Sequence, residues 1–507
     1  MIGMTLGEIA RITGGSLGDT ACPDDVVTAP VEFDSRLVRP GGLFLALPGE
    51  HVDGHDYVAA ALASGAVAAL ATKAVRAPHV LVADGYQALA ALAGAALRRL
   101  PEVTVVGVTG SSGKTSTKDL IAQLLERLGP TVAPPGSFNN ELGFPYTVLL
   151  ATERTQFLVL EASARGLGHI RYLAEIAPPR IGVVLNVGSA HLGEFGSRAV
   201  IARAKGELVE ALPDDGVAIL NADDPLVAAM RERTTARVVT FGTGPDAAVR
   251  AEEIAIDDMG RAGFALRAGG ARARVALRLT GAHHVGNALA AAAVALECGL
   301  SLPDTADALS AATARSHWRM EVTERADGVV VINDAYNANP ESMRAALTAL
   351  AQLGGRRGGR TFAVLGAMGE LGPDEIAEHE GVGRLIASLG VDRLVAVGEL
   401  ARPYLRGAAG ADGAAAPLAA TGAAAAPEND SWRCAGAWAP DADAAADLLA
   451  GELRGGDVVL VKASRAIGLE RVALALAGTG PRHDDPRGSD PDQSGPRWVG
   501  LRTGMTE

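Results

Sequence analysis

The sequence predicts an α/β protein organised around mostly parallel sheets. Three observations carry that expectation. Short apolar runs alternate with helix-length segments along most of the chain, the pattern of strands joined by crossover helices. Runs such as 103–108 are apolar almost without interruption, as strands covered on both faces must be. At 507 residues the chain is longer than one core serves, and its length favours about two to four domains.

The first unit, 1–100, holds strand-like pieces at 42–47 and 79–83 and alanine-rich helices at 57–64 and 87–100; Pro101 marks its end. The second, 101–314, alternates strands at 103–108, 157–160, 181–186, 217–220 and 238–241 with helical segments. A sheet of this kind binds ligands at the carboxyl ends of its strands. The third unit, 315–479, repeats the alternation with strands at 328–332, 361–365, 393–397 and 457–461, and reads as a second, smaller doubly wound domain. Within it, residues about 407–430 are rich in Ala, Gly and Pro without periodicity and read as a flexible insertion. The tail 480–507 has too few apolar groups to offset its ordering entropy and is expected to be disordered.

A net charge of −13 argues against a nucleic-acid partner, which calls for excess Lys and Arg. The cysteines Cys22, Cys298 and Cys434 lie far apart, without ligand or disulfide spacing. No apolar run reaches the ~18 residues that membrane insertion requires, and the N-terminus lacks a basic-then-apolar leader. The expected location is cytoplasmic and reducing.

The most specific local signal follows the strand at 103–108. Gly110-Ser111-Ser112-Gly113-Lys114-Thr115-Ser116 is a glycine turn opening into a helical pattern with Leu120, Ile121, Leu124, Leu125 and Leu128 on one face and Gly129-Pro130 as its stop. Glycines let backbone wrap a polyphosphate, a lysine neutralises it, and a threonine hydroxyl suits Mg²⁺. The usual longer loop has a glycine where this chain has Val108, so the match is to a shorter form. A chance Gly-Lys-Thr in a surface turn is the competing reading.

Other polar groups stand at strand ends. Glu161, just past 157–160, is either a hard oxygen ligand for Mg²⁺ in the ligand crevice or a solvated or capping carboxylate. His191, beyond 181–186, either converges with Glu161 on one metal or is a satisfied histidine of no chemical role. Lys205, in Ala202–Glu207, reads as an ordinary solvated lysine. The strip Ser137-Phe138-Asn139-Asn140-Glu141-Leu142-Gly143-Phe144-Pro145 recognises a ligand or turns the chain. Asn333-Asp334-Ala335-Tyr336-Asn337-Ala338-Asn339-Pro340 again ends a strand in clustered acid, amide and aromatic groups. Two such clusters in two units suggest a cleft closed by domain motion.

With these motifs the chain resembles the Mur ligases, the ATP-dependent amide-forming enzymes of peptidoglycan precursor synthesis, over about 1–478. The short phosphate loop, the 139–145 strip and 334–343 carry the resemblance, with 364–372, Asp34-Ser35-Arg36, Phe44, Asp53-Gly54-His55 and Gly281–Asn287 in support. The family commonly has Asp where this chain has Ala367, and often Asn where it has His284. The resemblance implies an N-terminal UDP-sugar substrate domain, a central ATPase domain and a C-terminal Rossmann-like domain. It implies ATP and Mg²⁺ as cofactors, with UDP-N-acetylmuramoyl-tripeptide and D-alanyl-D-alanine as substrates joined through an acyl phosphate, and a monomer. Thr115, Glu161 and His191 become metal ligands, and Lys205 the lysine carbamylated by CO₂ to hold a second ion. Lys114, Asn287, Arg319 and Asp334 serve the nucleotide; Ser35, Arg36, Phe44, Asn139, Asn140, Tyr336, Asn337 and Asn339 serve the substrates. Alternatives are a sibling ligase adding one amino acid, a folylpolyglutamate synthetase, or a P-loop nucleotide switch. The third residue of the tripeptide, lysine or diaminopimelate, is not legible.

Overall fold

The computed structural model describes residues 1–49, 52–188, 195–410 and 434–478. Among them the strands form three main sheets in chain order, mostly parallel and flanked by helices, so the fold is α/β as expected.

In the N-terminal unit Val31–Glu32, Leu43–Ala46, Ala68–Ala71 and His79–Leu81 run parallel, and Ser16–Leu17 closes the edge antiparallel. A small ladder pairs Met4–Thr5 with Val26–Val27. The helix Leu6–Thr13 starts on a reciprocal capping box between Thr5 and Glu8. The helix Gly85–Arg98 starts where Asp84 accepts the amides of Tyr86 and Gln87.

The central sheet is nine-stranded among the described residues. Thr104–Thr109 lies inside it, third from one edge, between Phe157–Glu161 and Ile181–Val184, with Val217–Asn221 and Arg237–Gly242 beyond. The sequence reading missed its far edge. Val249–Ile256, Arg261–Ala268 and Ala271–Thr280 extend the sheet, the last two antiparallel. Their arginines and glutamates pair across the exposed face, which dilutes the apolar alternation that marks a strand. The alanine-rich helix His284–Glu297 is the opposite case. Ala288 to Ala295 are all 0 % exposed, because short side chains let it lie close to both the sheet and the helix Lys114–Leu125. That second helix ends at Leu125, short of the Gly129-Pro130 stop, and Leu128 packs from the turn beyond.

The C-terminal sheet is ordered Glu321–Glu324, Val330–Asn333, Val458–Lys462, Thr361–Gly366, Arg393–Val397 and Ala435–Ala439, parallel except for the first pair. The edge strands Glu321–Glu324 and Ala435–Ala439 were not anticipated, being polar and alanine-glycine-rich respectively. Pro340–Arg357 begins with Asn339 as its cap and proline in its first turn, and stops at Gly358 with φ 67°. The stretch expected as an insertion, about 407–430, is helical at its start. Residues 407–409 belong to the helix Arg402–Ala409, where a Cβ on Gly407 would strike the Glu380 carbonyl at 2.0 Å. The remainder of that stretch beyond 410, and the tail 480–507, lie outside the described residues. No helix among the described residues is long and apolar enough to cross a membrane.

Candidate active site

The phosphate loop leaves the end of Thr104–Thr109 and turns into Lys114–Leu125 at Gly113. Gly113 has φ 79°, and a Cβ there would sit 2.6 Å from Asn287 Oδ1. A Cβ on Gly110 would meet Leu185 Cβ at 2.9 Å. Both glycines are therefore required by shape, and Gly113 by its left-handed backbone as well. Asn186 braces the turn. Its Oδ1 accepts the Ser112 amide at 3.0 Å, its Nδ2 donates to the Ser112 carbonyl at 3.2 Å, and its own carbonyl accepts the Ser111 amide at 3.2 Å. Ser111 Oγ accepts the Gly188 amide at 2.9 Å. Ser116 follows half-buried in the first helical turn.

Parallel pairing sets Glu161 opposite Val108, beside the loop. Its carboxylate is 1 % exposed and accepts from Thr115 Oγ1 at 3.0 Å, Ser137 Oγ at 3.1 Å and Asn139 Nδ2 at 2.6 Å. The capping or solvated reading of Glu161 thus gives way to a buried, oriented carboxylate next to the loop threonine. Asn140 turns elsewhere: its Oδ1 accepts the Gly143 amide at 2.9 Å and starts Gly143–Leu149. The 137–145 strip both turns the chain and reaches the site.

The solvated reading of Lys205 is overturned. Lys205 lies within Arg198–Glu210 and is 4 % exposed. Burial, then the nearby Lys114 charge, hold its amine well below the ordinary lysine range. Lys114 is itself lowered by burial and by Arg319, partly countered by Glu161, and donates to the Gly110 carbonyl at 2.8 Å. Lys114 and Arg319 therefore stand beside one buried carboxylate and its threonine partner, an arrangement that favours an incoming anion.

The C-terminal unit closes on this loop. Arg319 Nη2 donates to Thr115 Oγ1 at 3.2 Å, and its guanidinium lies 4.1 Å over the Tyr336 ring. Asn339 Nδ2 reaches the Ser111 carbonyl at 3.4 Å. Asp334 is 8 % exposed and pairs with Lys462 at 2.5 Å, because the register matching Asn333 to Val461 puts the next residues side by side. Lys462 also donates to the carbonyl of Asn337, whose side chain is exposed. Lys462 and Asn186 were missed by sequence reasoning. A charged residue ending an apolar strand, the signal used for Glu161, applies equally to Lys462. Asn287 abuts Gly113, and His284 beside it is 3 % exposed with its Nε2 unpartnered.

Several residues do not join this cluster. Arg36 is exposed and pairs with Asp34 at 2.6 Å, beside half-buried Ser35. Phe44 is 1 % exposed in a small core with Val38, Val58 and Ala61, so its ring packs the N-terminal unit and does not line an open face. His55 is buried, bonded to Asp53 at 2.5 Å and to the Thr72 amide at 3.1 Å. Ala367 acts through its carbonyl, which accepts from Ser464 Oγ at 2.8 Å. His191 lies outside the described residues; among those described, no group of three His, Cys, Asp or Glu side chains is arranged to hold a metal.

A cavity of about 500 Å³ opens between the loop and the C-terminal unit, lined by Ser112, Gly188, Arg198, Glu341, Arg344 and Glu378 among others.

Comparison with known proteins bears directly on this site. The family pattern described as the Mur ligase middle domain matches 108–295, that of the Mur ligase glutamate ligase domain 318–465, and that of the Mur ligase family catalytic domain 29–100. The chain belongs to the Mur ligase family. Among its relatives in this family is the UDP-N-acetylmuramoyl-tripeptide–D-alanyl-D-alanine ligase of Mycobacterium tuberculosis, 50 % identical, with 96 % of this chain and 99 % of that one aligned. Similar solved Mur ligases include MurF from Acinetobacter baumannii, with a TM-score of 0.80 at 32 % identity over 94 % of this chain and 99 % of that one. MurF from Thermotoga maritima in complex with ADP gives a TM-score of 0.73 at 30 % identity over 89 % and 98 %.

The loop of this Mur ligase yields a direct expectation. Gly113→Ala must abandon φ 79° or displace Asn287. Strain of about 1–3 kcal/mol in the loop should raise the KM for ATP by roughly ten-fold or more. Steady-state ATP titration reads it, and an unaltered KM would show that the turn does not carry the nucleotide.

Proposed function

We propose that this Mur ligase adds D-alanyl-D-alanine to UDP-N-acetylmuramoyl-tripeptide at the expense of ATP. It acts as a monomer in the cytoplasm, at the last soluble step of peptidoglycan precursor synthesis. Its near full-length relatives are UDP-N-acetylmuramoyl-tripeptide–D-alanyl-D-alanine ligases, which supports these substrates. The observation that carries the chemistry is the convergence of Lys114, Thr115–Glu161 and Arg319 from two units on one glycine turn. We take the units to divide near 100 and 314.

The tripeptide carboxylate attacks the γ-phosphorus of ATP; an O–P bond forms and ADP departs with the bridging oxygen. The dipeptide amine then attacks the acyl carbon. A C–N bond forms, phosphate leaves with its oxygen, and the ammonium proton passes to solvent. The first step brings anions together, and at about 4 Å with an effective dielectric near 20 each such pair costs on the order of 4 kcal/mol. Lys114 and Arg319 offset that repulsion and hold the transferring group in line.

The donor set fits a divalent cation: a buried carboxylate and a hydroxyl 3.0 Å apart are hard oxygen ligands. Thr115 and Glu161, with His191 proposed alongside, would hold Mg²⁺, which shields phosphate charge when bound. Asn139 and Ser137 keep the Glu161 carboxylate turned toward Thr115. Lys205 is proposed to react as its neutral amine with CO₂, losing one proton and becoming an anionic carbamate suited to a second ion. Asp334 and Asn287 are assigned to the nucleoside end. Ser35, Arg36, Asn139, Tyr336 and Asn337 are assigned to the substrates. The cavity offers Arg198 and Arg344 to a carboxylate and Glu341 and Glu378 to an ammonium, the two ends of a dipeptide.

ADP release should require both UDP-N-acetylmuramoyl-tripeptide and D-alanyl-D-alanine, one ADP per amide formed. A coupled ADP assay with each substrate omitted in turn checks this. Equal ADP release without either would identify a nucleotide switch instead.

A further inference from the structure

The helix that opens with the phosphate loop also carries the joint to the C-terminal unit. Its residues Asp119 and Gln123, with Glu126 just past its end, lie at helical spacing along one side. All three hold the connecting segment 313–316. Asp119 Oδ2 accepts the Ser316 amide at 3.0 Å. Gln123 exchanges two hydrogen bonds with the Thr313 backbone, at 2.9 and 3.0 Å. Glu126 takes Arg315 bidentately, at 2.5 and 2.6 Å. Asp119 is 7 % exposed and is itself held by Lys118, 1 % exposed, at 2.5 Å; Lys118 also donates to the Pro134 carbonyl at 2.8 Å. Desolvating such a pair offsets much of its attraction, so its presence invites a role other than net stability.

That role is legible three residues on. Arg319 stands between Trp318 at φ 58° and Met320 at φ 52°, two side-chain-bearing residues in the left-handed region. Backbone of this kind persists only where its surroundings over-determine it. On the far side the Met320 amide is held by Asp334 Oδ1 at 3.1 Å. On the near side the anchor is Ser316 on Asp119. The turn between these anchors aims Arg319 at Thr115, and Arg319 Nε remains buried without a partner.

We propose that Asp119 is a positioning residue for this reaction: through the Ser316 amide it sets the strained 318–320 turn so that Arg319 meets the phosphates bound in the loop. The inference rests on the reading of Arg319 as a phosphate contact. The phosphate-loop helix then has two ends with one purpose, nucleotide at its start and the C-terminal arginine tethered along its side.

The test is a double-mutant cycle in the full-length enzyme. Lys118→Met with Asp119→Ala removes the anchor without leaving a buried unpaired ammonium. Misplacing one phosphate-contacting group should lower kcat by roughly ten- to a hundred-fold, while the KM for ATP, set mainly by the loop, moves by less than about three-fold. In an Arg319→Ala background the same pair should cause no further loss. Losses that multiply, or an unchanged kcat, overturn the inference. Arg319→Ala with undiminished kcat overturns the phosphate reading beneath it, a separate result. Should the buried pair fail to fold, Gln123→Ala with Glu126→Ala loosens the same tether from the surface. It must show a smaller kcat loss that again vanishes without Arg319; an additive loss overturns the proposal.

Discussion

Lys114→Ala abolishes ATP-dependent amide formation while the protein stays folded. The ammonium hydrogen-bonds the Gly110 carbonyl at 2.8 Å, a contact that water replaces at little cost. Burial and the Arg319 charge already hold its pKa below the ordinary lysine value, so its removal relieves repulsion in the loop instead of breaking it. With triphosphate bound, the same charge sits where the phosphoryl group is handed from nucleotide to carboxylate. Loss of such a preorganised cation costs about three orders of magnitude in kcat/KM. Product formation and a thermal melt, measured on one preparation, separate the two effects. Retained turnover would remove Lys114 from the mechanism; a collapsed melt would make the loss uninformative about chemistry.

Lys205→Ala is expected to lose roughly a hundred-fold or more in kcat and to recover part of it when short carboxylic acids are added. The rationale is protonation state. Only a neutral amine attacks CO₂, and Lys205 is held well below the usual range by burial and then by the like charge of Lys114. The sign follows. As pH falls through the depressed value the amine protonates, the nucleophile disappears, and CO₂-dependent activity declines with it. Above that value the amine stays neutral and activity persists. Activity against pH at fixed dissolved CO₂, with and without acetate, reads both arms. Full activity of the alanine variant without any acid would contradict the carbamate.

Both expectations began from readings of different strength. Gly110–Thr115 was legible because a phosphate loop is contiguous: strand, glycine turn and helix follow one another, and each leaves its own local mark. Glu161 was legible in position, since a carboxylate ending an apolar strand falls in the crevice of a parallel sheet, but its three hydrogen bonds were not. Lys205 failed outright on local grounds. Its neighbours Ala202–Glu207 look like any exposed helix, and only the packing of Arg198–Glu210 against the sheet makes it buried. The antiparallel strands from Val249 to Thr280 were missed for a related reason. Paired arginines and glutamates occupy their solvent face, and pairing partners are not written in either strand alone.

The amino-acid sequence by itself determined the α/β class, the phosphate loop and the carboxylates at strand ends, because these depend on backbone preference and on periodicity over a few neighbouring residues. The tertiary structure alone decided the rest. It set Arg319 on Thr115 across 204 positions, Lys462 on Asp334 across 128 and Ser316 on Asp119 across 197. Charge, reach and protonation at such points are properties of the groups that exclude water around them, and those neighbours are assembled only when the sheets close together.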